Sequence, residues 1–319
     1  MAERKILYRL KINRLDSIVY EDQVKVEWQP EVKSVRVIMD IPEKKNSMPL
    51  AFWHWLSKFI ETEIDPNDNV KSWVLAAEGP DYGGGNDAGE LAYITGFGTG
   101  ENKEELKRPP QRRRIIGDRD TVFGGKAIEQ TLHRSIKVSI TEVKGMCYGQ
   151  HMEMAALADI CIAAKGTRFT HPAYRYLGPF GNYIPLIENF GLKRAKEMML
   201  TAKPVIAEDI SRNSIVTQVV EFDDLRKTTD DYVKAISLLP LDGICMGKVL
   251  FEQALETRGW GYSFVNCFSG HAWFTNLQYM DDEFKFLKSR RDVGLSSGLH
   301  ERDKLAPKAW RLGKSRFED

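Results

Sequence analysis

The chain has 319 residues, 42% of them hydrophobic, with 46 basic and 45 acidic side chains and a formal net charge of +1. That length can bury a large core, and the balanced charge provides no overall field for nucleic acid or an anionic membrane, so any polyanion contact must be local. No apolar run reaches the roughly 20 residues of a membrane span, the first thirty residues hold no signal-length stretch, and the four cysteines (147, 161, 245 and 267) lack CxxC or Cys/His ligand spacing. A cytoplasmic protein with reduced thiols, no metal and no membrane partner is expected.

Residues 1–16 read as a basic extension. Residues 24–28 and 35–41 alternate β-branched or aromatic residues with polar ones around Gln29-Pro30-Glu31, which predicts a hairpin or meander. Phe52, Leu56, Phe59 and Ile60 repeat at helical spacing, which predicts a helix over 49–63 with Pro49 near its start. The run SWVLAA at 72–77 has the continuous apolar character of a strand buried on both faces, and it empties into the glycine loop GPDYGGGNDAG. Three consecutive glycines let a main chain approach a ligand without Cβ interference. The glycines at 96, 98 and 100 have neither the preceding strand nor the following helix that a dinucleotide fingerprint requires. Residues 101–120, with KRPPQRRR at 107–114, read as a charged surface excursion whose basic side chains are candidates for contacting phosphate.

A helix over 123–133 and a buried strand over 138–143 then deliver the central stretch, KGMCYGQHMEMAALADICIAA at 144–164. Here a turn at Tyr148-Gly149-Gln150 opens a helix of small residues and methionines. Helices leave their first N–H groups without intrahelical partners and carry partial positive charge there, so a substrate oxygen over Gln150 meets oriented donors. The strand and glycine turn of 72–87 recur at 138–153, and two such turns can bring two sets of main-chain N–H groups to one pocket. Strand character returns at 159–164, followed by the ring-rich RFTHPAYRYLGPFGNY. Helices are expected at 183–190, 192–201 and 207–213, a strand at 216–222, and helices at 225–239, 244–257, 262–280 and 283–302, with breaks at 240–243 and Gly259. The order implies an α/β core over 17–222 and a helical region over 223–319.

The stretches DIPEKKNSM (40–48), DYGGGND (81–87), the central stretch, RFTHPAYRYLG (168–178) and GLKRAKEMMLTAKPVIAED (191–209) follow the order and spacing of one family. Over 17–260 the chain resembles the crotonase (enoyl-CoA hydratase/isomerase) superfamily. The resemblance implies an α/β fold with a ββα spiral core and a helical C-terminal region that covers the site and assembles a homotrimer or dimer of trimers. It also implies an acyl-CoA substrate whose coenzyme A is the handle, with no separate cofactor, and a thioester carbonyl held by two main-chain N–H groups. Carried over by position, those donors are Gly84 and Gln150, where the family has glycine at the second; Gln150 fits only if any positive φ falls elsewhere. Glu153 matches the first catalytic glutamate of the family's hydratases, while the second falls at Ala173. Substitute acid–base groups are His151, His171, Tyr148, Tyr174 and Tyr176, with His171 preferred. Tyr148, Tyr174, Tyr176, Lys45 and Gly83 are candidates for substrate binding, and Asp87 for orienting the glycine loop. The missing carboxylate keeps proton abstraction, double-bond shift and carbon–carbon cleavage open. Two rivals follow: a hydrolase of cyclic β-diketones or ring-bearing acyl-CoA, and a crotonase-fold RNA-binding protein using 107–114, against which the neutral charge argues.

Overall fold

The computed structural model describes residues 6–9, 12–13, 19–20, 23–87, 128–176, 181–210, 214–274 and 278–313, with side chains from Gln23 on. The glycines of 96–100, the basic stretch 107–114 and the expected helix start at 123–127 lie outside the described residues.

Short strands β1 (Ile6–Arg9), β2 (Ile12–Asn13) and β3 (Val19–Tyr20) precede β4 (Val24–Gln29), whose Val24 and Val26 are fully buried. Pro30 begins one 3-10 turn, Lys33 adopts φ 50, and the chain reverses into β5 (Ser34–Met39), which completes the predicted hairpin. Helix α1 (Leu50–Phe59) runs on through a π turn to Ile64 and buries Phe52, Leu56, Phe59 and Ile60, as their spacing requires. Then come β6 (Ser72–Ala77), α2 (Ile128–Arg134) and β7 (Val138–Val143). Strands β5, β6 and β7 lie parallel, with Ser34 opposite Ser72 and Ser72 opposite Val138.

After β7 the chain steps out of this sheet at Lys144-Gly145 into β8 (Met146–Tyr148), the first strand of a second sheet, and α3 (Gln150–Leu157) follows at once. Strand β9 (Ile160–Ala164) returns to the large sheet beside β7, and β10 (Arg168–Thr170) pairs with β8. Helices α4 (Ala173–Tyr176), α5 (Tyr183–Phe190) and α6 (Leu192–Thr201) lead to β11 (Val205–Ile206) beyond β10, and β12 (Gln218–Val220) closes the large sheet beside β9. The large sheet therefore runs β1-β4-β5-β6-β7-β9-β12 and the small one β11-β10-β8. The expected helix at 207–213 is described only as one 3-10 turn at Ala207–Asp209, with 211–213 outside the described residues.

Side-chain alternation along the central strands feeds two cores. Val35, Val37, Met39, Trp73, Leu75 and Ala77 face α1 and α3, while Ile38, Val74, Ala76 and Ile140 face Val233 and Ile236 of α7 (Leu225–Ser237). Arg36, on this second face, is fully buried, with one guanidinium nitrogen on Glu142 and the other 2.7 Å from Asp230 of α7. A buried cation persists only when paired in this way.

Beyond α7, α8 (Leu241–Glu256) begins immediately after Pro240, so the break expected at 240–243 falls at 238–240. A proline stops the helix before it and is tolerated at the head of the next. Helix α9 (Trp260–Phe274) follows Gly259, and the single helix expected over 283–302 is two, α10 (Phe286–Val293) and α11 (Leu295–Lys304), divided by Gly294 at φ 87. The chain then folds back as a strap. Asp303 accepts the N–H groups of Leu312 and Gly313 and meets Arg175 at 2.8 Å, while Arg168 and Lys45 donate to the carbonyls of Arg311 and Gly313. No described helix is long and apolar enough to cross a membrane, and the four cysteines are free thiols.

Candidate active site

Between β8 and α3 the chain turns at Gly149 with φ 56 and ψ −124, a conformation closed to side-chain-bearing L-residues. The glycine absorbs the turn, so Gln150 is free to be the first helical residue. Its N–H has no acceptor among the described residues, as expected of a helix opening. Every side chain of α3 is buried, which holds this N-terminus in place.

The other turn, 83–87, lies against it. The N–H of Gly83 donates to Met146 O at 2.8 Å, and Gly83 O accepts from Tyr148 N–H at 2.9 Å, so Gly83 is a pairing residue between the turns. Gly84 is not a free donor: its N–H is spent on Lys45 O at 2.8 Å. Gly85 N–H donates to His151 Nδ1 at 3.2 Å, and Asp87 N–H to Met48 O at 2.9 Å. In this loop the N–H left without an acceptor among the described residues is that of Asn86. The loop pairs with residue 48 as a short bridge, and such pairing consumes alternate amides. A Cβ built on Gly149 would stand 3.6 Å from Gly85 Cα, so the turns touch one residue before Asn86 and one before Gln150.

Glu153, one helical turn beyond Gln150, is 1% exposed. Its Oε1 accepts Asn182 N–H at 3.1 Å, its Oε2 accepts Asn182 Nδ2 at 2.6 Å, and His171 Nε2 lies 3.3 Å from Oε1. Glu153, Gln150 and His171, expected together from sequence, are thus gathered in one place. Tyr174 joins them indirectly: its hydroxyl is 3.0 Å from that of Tyr183, whose titration burial pushes up, followed by that bond and by the charges of Tyr174 and Glu153.

A second carboxyl, unforeseen, completes the group. Glu129 of α2 is 5% exposed, accepts Gln150 Nε2 on Oε1 at 2.6 Å, and contacts Glu153. Its pKa is raised to about 7, first by burial and then by the charge of Glu153, against the opposing pull of the Gln150 bond. Cys267 of α9 borders both carboxyls; burial, then their charges, drives its thiol well above the ordinary range. Sequence reading missed Glu129, Asn182, Asn86 and Cys267. The first two are separated from Glu153 by 20 residues or more, and no motif ties them to it.

Other candidates belong elsewhere. His151 is fully buried, edge-on to Trp53 and Tyr82 at 5.1 and 5.5 Å, with Nε2 3.2 Å from Met39 Sδ. Burial lowers its pKa to about 3, so the ring is a neutral strut under the glycine loop rather than an acid–base group. Tyr148 packs with Met146, Ala202 and Leu312, and Tyr176 stands 5.1 Å from Phe286 beside the same cluster, because alternate residues of β8 face away from the carboxyls. Lys45 Nζ donates to Gly313 O at 2.8 Å in the strap. Among the described residues, one group has metal-ligand proximity: His133, Glu252 and Glu256, within 4.8 Å of one another. Glu252 pairs with Arg134 at 3.6 Å, and Glu256 lies 3.3 Å from His133 Nε2, whose pKa burial lowers.

The sequence profile of the family described as Enoyl-CoA hydratase/isomerase matches residues 33–257, well over half of the chain. The enoyl-CoA hydratase domain-containing protein 3, mitochondrial, of Homo sapiens is 24% identical over 265 residues, spanning 81% of this chain and 79% of that protein. The short-chain-enoyl-CoA hydratase of Clostridium acetobutylicum is 29% identical over 180 residues, 56% of this chain and 62% of that one. Among solved structures, an enoyl-CoA hydratase from Mycobacterium smegmatis has a TM-score of 0.73 with 17% identity, covering 92% of this chain and 98% of its own, which is a likeness of fold. The match covers well over half of the chain, including both turns, and on that ground the chain belongs to the enoyl-CoA hydratase/isomerase family, as a divergent member with the crotonase fold.

Proposed function

We propose that this acyl-CoA-processing enzyme moves a proton at the α-carbon of a thioester through an enolate, with Glu153 as the base and the N–H groups of Asn86 and Gln150 as the oxyanion hole. One observation carries the reading: two touching turns each leave one main-chain N–H without an acceptor among the described residues, and a buried carboxylate stands one helical turn beyond the second. As Glu153 removes the proton, charge passes to the thioester oxygen, where fixed donors act without reorganising. Asn182 holds the carboxylate that does this, with His171 Nε2 beside it. No group beyond the coenzyme A handle enters the scheme.

Proline at position 150 tests the hole. Proline suits the first helical position, and the N–H it lacks is the proposed donor. Gln150→Ala keeps that N–H while removing the side chain, so it is the control. Relative to Gln150→Ala, Gln150→Pro is expected to lower kcat roughly 10²–10³-fold, read as exchange of the α-protons of butyryl-CoA in heavy water. Equal exchange in the two variants rules this donor out. The ring-cleaving hydrolase alternative draws on the missing carboxylate and the added histidines, and product analysis separates it, since ring opening consumes water and breaks a carbon–carbon bond.

Self-assembly is proposed through α8, where Met246, Leu250 and Phe251 are 65–72% exposed. Apolar surface of this kind is ordinarily covered. Replacing Leu250 and Phe251 together by Glu is expected to reduce the particle mass in sedimentation to that of one chain; an unchanged mass removes this face from the interface.

A further inference from the structure

We infer that Glu129 is the second acid–base group of this site, a carboxyl carried on α2 in place of the one absent at Ala173, and that Gln150 is the residue that positions it. The inference rests on the proposed enolate chemistry and extends it past the enolate. Three features of geometry support it. Glu129 is buried and in contact with Glu153, so the two carboxyls form one unit inside the protein. Gln150 Nε2 fixes Glu129 Oε1 at 2.6 Å while the N–H of the same residue has no acceptor among the described residues, so oxyanion donor and second carboxyl are held by one residue. Asn182, by contrast, donates twice to Glu153 itself, which makes it the holder of the base, and His171 Nε2 lies 3.3 Å from the same carboxylate.

Two adjacent buried carboxyls do not both ionise readily, so the pair keeps one proton. In the productive form Glu129 carries it and Glu153 is the base. Glu153 breaks the Cα–H bond and takes the proton, and the electron pair moves into the enolate. Glu129 then gives its proton to the far end of the reacting system. With a 3-hydroxyacyl thioester the C3–O bond breaks, the departing hydroxyl takes that proton and leaves as water, and the product is the 2-enoyl thioester. With a 3-enoyl thioester the proton goes to C4, and the product is the 2-enoyl isomer with no water released. Glu153 is now protonated and Glu129 ionised, and a hop across their contact restores the starting form.

The groups facing Glu129 are Gln150 and Glu153 from α3 and Cys267 from α9. Further along α2, His133 and Arg134 meet Glu256 and Glu252 of α8, with Lys248 near His133, and Thr131 bonds to Ser57 of α1. The pH dependence has a fixed sign. Activity requires the shared proton, so it falls as pH rises through about 7. The Gln150 bond favours the ionised form, so its loss in Gln150→Ala moves that fall to higher pH.

The test uses the full-length enzyme with butyryl-CoA for α-proton exchange, and with 3-hydroxybutyryl-CoA and 3-hexenoyl-CoA for conversion. Glu129→Gln is expected to retain exchange but lose conversion by roughly 10²–10⁴-fold, with no alkaline fall near neutrality. An infrared difference spectrum for a pH step across neutrality should contain a protonated-carboxyl band that is absent in Glu129→Gln, a readout independent of turnover and of a variant's folding yield. Conversion by Glu129→Gln at the wild-type rate with the wild-type pH profile overturns the inference, as does a wild-type enzyme that exchanges butyryl-CoA yet converts neither probe. A wild-type enzyme that exchanges nothing contradicts the enolate reading instead, so the two failures are distinct.

Discussion

Glu153→Gln is expected to reduce turnover of the true substrate, and α-proton exchange of butyryl-CoA, by roughly 10²–10⁴-fold, the usual weight of a positioned general base. The amide keeps the size of the carboxylate but cannot take the proton. One of its two ends must also present N–H to Asn182, which now donates to both oxygens. A buried donor facing a donor costs about 1–3 kcal/mol, so a lowered Tm accompanies the lost activity. Affinity for acyl-CoA, measured by calorimetry, should change little, because the thioester oxygen is held by main-chain groups. The same change removes the charge that raises Glu129, so Glu129 should ionise at lower pH in this variant. Retained exchange in Glu153→Gln would remove Glu153 from the chemistry.

Gly83→Ala should produce the largest loss of stability among single substitutions in the two turns. A Cβ on Gly83 would lie 1.9 Å from the ring of His151, and that ring is boxed in by Trp53, Tyr82 and the Gly85 N–H. Overpacking of a rigid site costs about 1–3 kcal/mol. Chemical denaturation of Gly83→Ala, His151→Ala and the double variant forms a cycle. Removing the imidazole makes room for the methyl, so the double variant should be more stable than the sum of the single losses predicts. Simple additivity would mean that His151 does not buttress this loop.

The large sheet was legible where β4 and β5 alternate around Pro30 and where β6, buried on both faces, leaves an apolar run that turn residues punctuate. Helix α3 and its glycine turn were legible for the same reason. The small sheet was not, since β8, β10 and β11 are two or three residues long and their pairing is between distant segments. Gly84 was carried over by position from the family's glycine loop, whereas the amide without an acceptor among the described residues depends on which N–H groups the bridge to Met48 consumes, a matter of register. Glu129 was invisible for another reason: an isolated Glu in a short helix reads as solvated, and only the arrival of α3 and α9 around it makes it a buried acid.

The strap at the end of the described chain limits how the protein can be handled. Main-chain groups of 311–313 hold Asp303, Arg168 and Lys45, and the Lys45 carbonyl is what fixes Gly84. A purification tag or fluorescent fusion spliced in at 311 would pull on the same scaffold that shapes the glycine loop, so cargo is better attached beyond residue 313.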